Sequence, residues 1–272
     1  MVKNTVSKIY SYSAILAAVL MVCLVIVASC APHNGYLIRE DPPISRNGPP
    51  VDAFVVIIVD SITTPERCDP PTENCESVIG GLPPIETRKT GSGLFVWYEG
   101  RSFVVTAEHV CTEESPTHFR HPDPSLEVRI KLNSYEKIQV VGVDGVKHDA
   151  SIAGLNKDLD LCALSVKTLE STPVALAPVP PSIGDDVYTI AAPYGLGGES
   201  LSLIFNGRYS GVRKGRHYYT IPTRPGSSGA IVLNEDWQAV GSLHTAFVPL
   251  ENVGIGAGWQ DLRLFMESIK TR

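Results

Sequence analysis

The sequence predicts an all-β protein that folds as two antiparallel halves and ends in one short helix. Short runs of β-branched and aromatic residues recur along the chain and are separated by turn residues. A spacing of about 8–12 residues between such runs is typical of sandwiches and barrels. A proline-dense stretch at 173–181 divides the runs into two sets. The pattern therefore favours two β-rich units joined by one crossing segment.

The predicted strands are short and carry apolar or alternating patterns. In the first half they lie at 51–59, 93–98, 102–106, 126–132, 137–143, 151–153 and 161–166. In the second half they lie at 186–192, 200–206, 217–221, 230–233, 239–245 and 254–258. Residues 260–270 have helical periodicity, with Leu262, Phe265, Met266 and Ile269 on one face. We expect this helix to pack against the second half.

Composition excludes two classes of protein. The chain has 272 residues, of which 43% are hydrophobic and 19% are charged, and these fractions are typical of a folded protein rather than a disordered one. The formal net charge is −6, and no basic stripe stands out along the sequence. A nucleic-acid partner is therefore not expected.

The N-terminus has the pattern of a targeting segment. Lys3 and Lys8 precede an apolar run at 14–27, which fits the hydrophobic core of a signal peptide better than a full membrane span. Residues 27–30 resemble a bacterial lipobox, in which Cys30 is lipidated and becomes the new N-terminus. The alternative is a signal anchor that is not cleaved. In both cases we expect an extracytoplasmic, membrane-anchored protein, either periplasmic or at the cell surface.

The chain divides into three segments on this interpretation. Residues 1–30 are the signal peptide with its lipobox, and residues 31–50 are a Pro/Gly-rich tether without apolar periodicity. Residues 51–272 form the folded domain.

A tight turn at 222–230 contains the first candidate for catalysis. Ser228 lies between Gly226 and Gly229 in this turn, which separates two short apolar runs. A serine hydroxyl becomes a nucleophile only when a base removes its proton and N–H groups stabilise the oxyanion that follows. The backbone N–H groups of Gly226 and Ser228 can supply that oxyanion hole. Upstream, His109 follows one β-like run, and Asp160 precedes another.

The order His, Asp, Ser and the motifs around these residues resemble the chymotrypsin-like hydrolases. Residues 106–109 are similar to the family's T-A-A-H motif, with Glu108 as a departure, and residues 160–164 are similar to its D-L-A-L motif with one extra residue. Residues 226–230 are similar to G-x-S-G-G, with Ala230 in place of the last glycine. Residues 90–96, 184–188 and 193–195 also resemble the HtrA-type branch.

The resemblance implies a trypsin-like fold of two six-stranded antiparallel barrels with the active site in the cleft between them. It implies a serine endopeptidase that acts on a polypeptide substrate without a cofactor. Ser228 would be the nucleophile, His109 the general base and Asp160 the residue that orients His109; Asp158 competes with Asp160 for that role. The alternative is a catalytically silent protein of this fold that binds peptides or partners.

The resemblance also suggests a substrate preference. Residues 222–226 are similar to the corresponding run of picornaviral processing proteases, and glutamyl endopeptidases share Thr223. In both groups a threonine and a histidine recognise a substrate glutamine or glutamate, which makes Thr223 and His244 candidate binding residues. Counted from Gly241, however, His244 falls one residue later than in these families, and a slip of one residue in a strand turns a side chain to the opposite face. Either a bulge restores His244 to the pocket, or it packs elsewhere, on the Asp160 side.

The remaining cysteines and histidines bear on disulfide bonds and metal binding. Cys68 and Cys75 bracket a turn-rich loop that a disulfide would close. Cys111 and Cys162 each follow a proposed catalytic residue by two positions, so they form either a second disulfide or two buried free thiols. No metal site is expected, because prolines beside the His118-x-x-His121 pair favour a surface loop.

Overall fold

The structure is a computed structural model that describes residues 47–69, 79, 82–112, 118–120, 129–168, 170–247, 249–250 and 252–270. The first half contains seven antiparallel strands, and a short eighth strand follows them. They are β1 (Phe54–Asp69), β2 (Ile85–Tyr98), β3 (Arg101–Thr106), β4 (His118–Arg120), β5 (Arg129–Val141), β6 (Lys147–Asn156), β7 (Leu161–Val166) and β8 (Val174–Ala175).

Six of these strands close into a barrel. The hydrogen-bonded order is β1-β2-β3-β7-β6-β5, and β5 pairs back onto β1. The central strands are almost continuously buried, as in Phe103, Val104 and Val105 of β3 and Leu161 to Leu164 of β7. Closure removes the free edges of the sheet, so the elements that follow β3 and precede β7 start from fixed positions.

The second half contains seven strands. They are β9 (Asp186–Ala191), β10 (Leu203–Arg213), β11 (Arg216–Tyr219), β12 (Ile231–Leu233), β13 (Ala239–Ser242), β14 (Thr245–Ala246) and β15 (Gly254–Gly256). Their order is β13-β12-β9-β10-β11-β15-β14. An isolated antiparallel bridge between Gly241 and Gly258 joins β13 to the segment that follows β15, so this sheet also curls toward a barrel.

Three helical elements complete the described chain: α1 (Glu108–Cys111), a 3₁₀ turn at Pro193–Gly195, and α2 (Trp259–Lys270). The predicted apolar face of α2 is confirmed, because Leu262, Phe265, Met266 and Ile269 are all buried. This face joins a core cluster that contains residues of both halves, and it also packs on β13. Ile269 lies so close to Gly154 of β6 that no side chain fits there.

The predicted trypsin-like two-barrel class is confirmed, with two differences in detail. The second half is a seven-stranded sheet joined by a single bridge, not a regular six-stranded barrel. Instead of separate strands at 126–132 and 137–143, one continuous β5 spans Arg129–Val141. The intervening polar residues stay extended because they pair with the long end of β1, where Ile62 lies opposite Tyr135.

Candidate active site

His109 is delivered to the cleft by the end of β3. The buried strand stops at Thr106, and the single turn of α1 begins at Glu108. Val110 and Cys111 in this turn are buried, whereas the His109 side chain keeps 47% of its exposed area. Glu108, the departure from the family motif, accepts a hydrogen bond from the Thr112 hydroxyl at 2.9 Å.

Asp160 is held against His109 by the turn between β6 and β7. Its two carboxylate oxygens lie 2.9 Å and 2.8 Å from Nδ1 of His109, and the His109 backbone N–H donates to Oδ1 at 3.1 Å. The Asp160 backbone has a φ of 51°, in the left-handed region that Asp and Asn tolerate better than other non-glycine residues. The competing carboxylate, Asp158, is exposed. Of the two acids, Asp160 is the one that contacts the imidazole.

The environment of Asp160 favours its ionised form. Partial burial raises the pKa of Asp160, but the side-chain hydrogen bond from His109, the nearby imidazole of His244 and the His109 backbone N–H together lower it below its usual value. A charged Asp160 accepts the Nδ1–H of His109 and leaves Nε2 of the neutral ring without a proton. Nε2 is therefore able to act as a base.

A disulfide fastens the two elements that carry this pair. Cys111 ends α1 and Cys162 lies two residues after Asp160, and the two sulfurs are bonded. The bond resolves the alternative that the sequence left open: Cys111 and Cys162 form a disulfide and are not free thiols. The Cys75 residue and the Cys68 side chain lie outside the described residues, as does His121 of the His118–His121 pair.

Ser228 lies in the loop between β11 and β12, but its hydroxyl is not bonded to His109. Its Oγ donates to the backbone carbonyl of His244 at 2.9 Å. The structure therefore pairs His109 with Asp160 and bonds the Ser228 hydroxyl to the backbone of His244, which lies between β13 and β14.

The orientation of two peptide groups prepares the expected oxyanion hole. The Pro225 carbonyl accepts the N–H of Tyr194 at 2.7 Å, and the Ser227 carbonyl accepts the N–H of Ala230 at 3.1 Å. In a planar trans peptide the N–H points away from the carbonyl, so Gly226 N–H and Ser228 N–H point away from these contacts. Within the described part of the chain, neither N–H donates to a protein acceptor.

Ser92 connects this loop to the first half, and sequence reasoning did not identify that role. Its N–H donates to the Ser228 carbonyl at 2.9 Å, and its hydroxyl donates to the Gly226 carbonyl at 2.8 Å. The same hydroxyl accepts the N–H of Ala192 at 2.9 Å, and the Ser92 carbonyl accepts the Thr106 hydroxyl at 2.8 Å. The only sequence signal was its place in the Gly91-Ser92-Gly93 motif.

Gly229 allows the nucleophile loop to approach the strand that leads to His109. Its φ is 85°, and a side chain there would collide with Thr106 and with the backbone of Ser92 and Ala107. The glycine in this motif is thus needed both for its conformation and for space. It brings Ser228 close to the end of β3.

His244 lies on the Asp160 side and not beside Thr223, which is the second of the two placements that the sequence left open. Its Nδ1 lies 3.6 Å from Oδ2 of Asp160, and its side chain is 9% exposed. Its Nε2 is 2.6 Å from the Ser242 hydroxyl. Burial lowers the pKa of His244 to about 4, although the Asp160 charge acts in the opposite direction.

Thr223, the other residue expected to bind substrate, lies near Leu243 instead. A Cβ at Gly254 would come within 2.5 Å of the Thr223 hydroxyl and 2.8 Å of Cδ2 of Leu243. The Thr223 hydroxyl donates to the Ile221 carbonyl at 3.2 Å, and both side chains are buried. The neighbouring strand therefore directs Leu243 to the Thr223 side and His244 to the Asp160 side.

A cleft of about 540 Å³ opens beside the His109–Asp160 pair. Its lining includes His109, Asp160, Arg216, His244, Thr245 and Asp261. A volume of this size is typical of ligand-binding clefts. Within the described ranges, no group of three or more His, Cys, Asp or Glu side chains is arranged to hold a metal ion.

Comparison with known proteins gives the family. A model described as trypsin-like peptidase domain matches residues 91–241, more than half of the 272 residues. The chain therefore belongs to the trypsin-like peptidases. None of the curated protein sequences gives a significant match.

Solved structures agree on the fold. The serine endoprotease from Yersinia pestis matches with a TM-score of 0.52 and 18% identity over 78% of this chain, which spans 62% of the Yersinia chain. An inactive mutant of Rv3671c from M. tuberculosis matches with a TM-score of 0.53 and 16% identity, over 86% of this chain and 97% of that chain. A second inactive-form structure of the Rv3671c protease matches with a TM-score of 0.53 and 15% identity, over 81% and 90%.

Proposed function

We propose that this protein is a serine endopeptidase in which Ser228, His109 and Asp160 form the catalytic triad. The observation that carries the proposal is the two-pronged contact of Asp160 with the ring Nδ1 and the backbone N–H of His109. That contact fixes the tautomer in which Nε2 is the free base. A serine on a glycine-flanked loop with two unengaged N–H groups supplies the other half of an acyl-transfer site.

The proposed reaction proceeds in two stages. Ser228 Oγ bonds to the scissile carbonyl carbon while His109 Nε2 takes the hydroxyl proton, and the oxyanion is held by the N–H groups of Gly226 and Ser228. When the C–N bond breaks, His109 passes its proton to the leaving amine, which leaves an acyl ester on Ser228. Water then attacks the ester with His109 again as the base, releasing the acid and restoring the hydroxyl.

The hydrogen bond from Ser228 to the His244 carbonyl must be exchanged before the first stage. A neutral hydrogen bond of this kind contributes only about 1 kcal/mol net, and rotation of a serine hydroxyl crosses no large barrier.

Ser228→Ala tests the function directly. Peptide hydrolysis should be abolished while the fold is kept, because the change removes one hydroxyl from a loop; the matched control, Ser227→Ala, should keep labelling by a serine-reactive fluorophosphonate. The measurements are hydrolysis of a peptide library and mass-spectrometric mapping of the label. Activity of Ser228→Ala within about tenfold of wild type would assign the nucleophile to another residue.

The Ser228–His244 contact also favours a second candidate function, a silent protease fold that binds peptides. In that case wild-type protein would bind library peptides without cleaving them and would take up no fluorophosphonate. Cleavage that disappears in Ser228→Ala excludes this candidate.

We further propose that the protein acts outside the cytoplasm and is anchored through Cys30. The proposal is supported by the lipobox-like residues 27–30 and by the Cys111–Cys162 disulfide, since such bonds persist in oxidising compartments. In residues 47–270, as far as they are described, no helix combines the length and apolarity that a membrane crossing requires. Metabolic labelling with a fatty-acid analogue should mark wild type and not Cys30→Ala; an unlabelled wild type would refute the lipid anchor.

A further inference from the structure

His244 is a second histidine on the catalytic carboxylate. Asp160 is contacted by His109 from one side, at 2.8 Å, and faced by Nδ1 of His244 from the other, at 3.6 Å. The His244 ring is almost fully enclosed, while His109 remains half exposed to the cleft. The two histidines therefore have different environments and cannot exchange roles.

The Asp160 carboxylate determines which nitrogen of the His244 ring carries the proton, and the Ser242 hydroxyl can pair with either tautomer. Its Oγ lies 2.6 Å from Nε2, and a neutral imidazole donates from one nitrogen and accepts at the other. If Ser242 donates to Nε2, the remaining proton is on Nδ1 and points toward the Asp160 carboxylate. The opposite tautomer would direct a lone pair at that negative charge, which is unfavourable.

The backbone of His244 reaches the nucleophile at the same time. Its carbonyl accepts the Ser228 hydroxyl at 2.9 Å, and its N–H donates to the Ile255 carbonyl at 2.9 Å. A single residue thus contacts both the nucleophile and the carboxylate from a strand of the second half. Movement of this strand would alter both contacts together.

We propose that His244 is a positioning residue for Asp160: its neutral ring, held by Ser242, directs an Nδ1–H at the carboxylate and keeps it aligned with His109. The inference rests on the proposed triad. The imidazole of His244 acts through Asp160 and takes no part in the proton transfer itself. The polar chain runs from Ser242 through His244 and Asp160 to His109 and spans both halves.

Two substitutions separate positioning from packing. The side-chain amide of His244→Asn lies near the Nδ1 position and keeps a donor toward Asp160. The longer amide of His244→Gln reaches the Nε2 position, so it keeps a partner for Ser242 and loses that donor. A packing role predicts that both variants behave alike or that Gln is better; the positioning role predicts that Asn is better.

The expected result is a difference in turnover, not in binding. His244→Gln should lower kcat about tenfold, the equivalent of one hydrogen bond to a charged group, with KM within about twofold. His244→Asn should recover most of this loss, and thermal unfolding should show that both variants are folded. The control is His148→Gln, because the ring of this first-half histidine bonds to Thr168 and not to the Asp160–His244 pair, so its change should leave kcat as in wild type.

A spectroscopic measurement needs no variant and no activity. In wild-type protein with ¹⁵N-labelled histidine at neutral pH, His244 should be neutral and protonated on Nδ1. An Nε2-protonated or doubly protonated ring overturns the proposal, as does a His244→Gln variant with a kcat equal to that of His244→Asn. If wild type shows the Nδ1 tautomer but neither cleaves peptides nor reacts with fluorophosphonate, the proposed function fails instead, and with it the positioning role.

Discussion

The first half of the molecule presents His109 and Asp160 from a closed barrel, whereas the second half presents Ser228 from a loop of a sheet joined by one bridge. In the first half the pair is already in contact at 2.8 Å, and the Cys111–Cys162 bond links the two elements that carry it. In the second half the nucleophile is held by hydrogen bonds to Ser92 and His244. The base is therefore preassembled by covalent and strand constraints, and the nucleophile by a polar network.

This difference predicts which property a substitution in each half should change. A change in the first half should act on the base and on the free energy of unfolding. A change in the second half should act on oxyanion stabilisation and on substrate choice. Four substitutions test the distinction, in order of decreasing expected effect.

Asp160→Asn should have the largest effect. Asn tolerates the left-handed backbone at this position, so the fold should persist, but the amide favours the wrong tautomer of His109 and should lower kcat by about 10⁴-fold. The control is Asp158→Asn, two residues away and exposed, which should keep kcat within the same order of magnitude. Steady-state kinetics on one peptide measures both. If Asp158→Asn lowers kcat severely and Asp160→Asn lowers it only slightly, Asp158 is the residue that orients His109 and the assignment to Asp160 is wrong.

Removal of the disulfide should act mainly on stability. Cys111→Ala/Cys162→Ala opens a link across 51 residues, and the chain-entropy model gives a loss of about 4 kcal/mol in the free energy of unfolding. The Asp160 carboxylate still has its two contacts with His109, so kcat should change less than tenfold. Guanidinium denaturation of the variant, and of wild type with and without reductant, measures the loss. An unchanged midpoint in all three samples would show that the bond carries no constraint.

Ser92→Ala should act mainly on catalysis although Ser92 lies on β2 of the first half, because its hydroxyl holds the loop of the second half. The variant loses the hydroxyl bonds to the Gly226 carbonyl and from the Ala192 N–H, so the loop that carries the oxyanion N–H groups is less fixed. Loss of one direct oxyanion donor costs about 10²–10³-fold in kcat, and we expect about 10²-fold here with KM nearly unchanged.

Ser102→Ala is the matched control for this change. Ser102 is also a buried serine of the first barrel, and its Oγ has no hydrogen-bond partner within the described chain. In Ser92→Ala, kcat and the affinity for a peptide boronic acid should fall together. In Ser102→Ala both should stay unchanged. Equal behaviour of the two variants would reduce Ser92 to a packing residue.

Local patterns in the sequence were enough to predict the fold class and the contact of Asp160 with His109, whereas they left open whether Cys111 and Cys162 are bonded or free. Each depends on a strand and the few residues next to it, and the strand β7 was predicted at its observed bounds. The clamp of Ser92 on Gly226 joins residues 134 positions apart, and no local pattern reports such a contact. The closure of the second sheet depends on one bridge, which strand propensity does not reveal.

The position of His244 shows most directly what the sequence alone cannot predict. The offset of His244 from Gly241 can be counted in the sequence. The side to which His244 points, however, depends on the pairing of its segment with residues 255–258. A bulge in that pairing would have reversed the outcome. Only the three-dimensional register distinguishes a substrate-reading histidine from one that faces Asp160.

Substrate choice should show the smallest effect and is decided by the same strand. Leu243 and Thr223 flank Gly254 and are buried, and the Thr223 hydroxyl is already bonded to Ile221, so we expect a shallow apolar pocket and cleavage after small apolar residues.

Leu243→Ala should deepen this pocket and raise kcat/KM for a larger apolar residue about tenfold relative to alanine, because methylene-sized changes in such pockets have effects of this order. Leu243→His would instead place an imidazole on the Thr223 side and should favour glutamine or glutamate. Peptide-library profiling of the three proteins measures these shifts; wild-type cleavage after glutamine or glutamate that Leu243 substitutions leave unchanged would show that another surface reads the substrate.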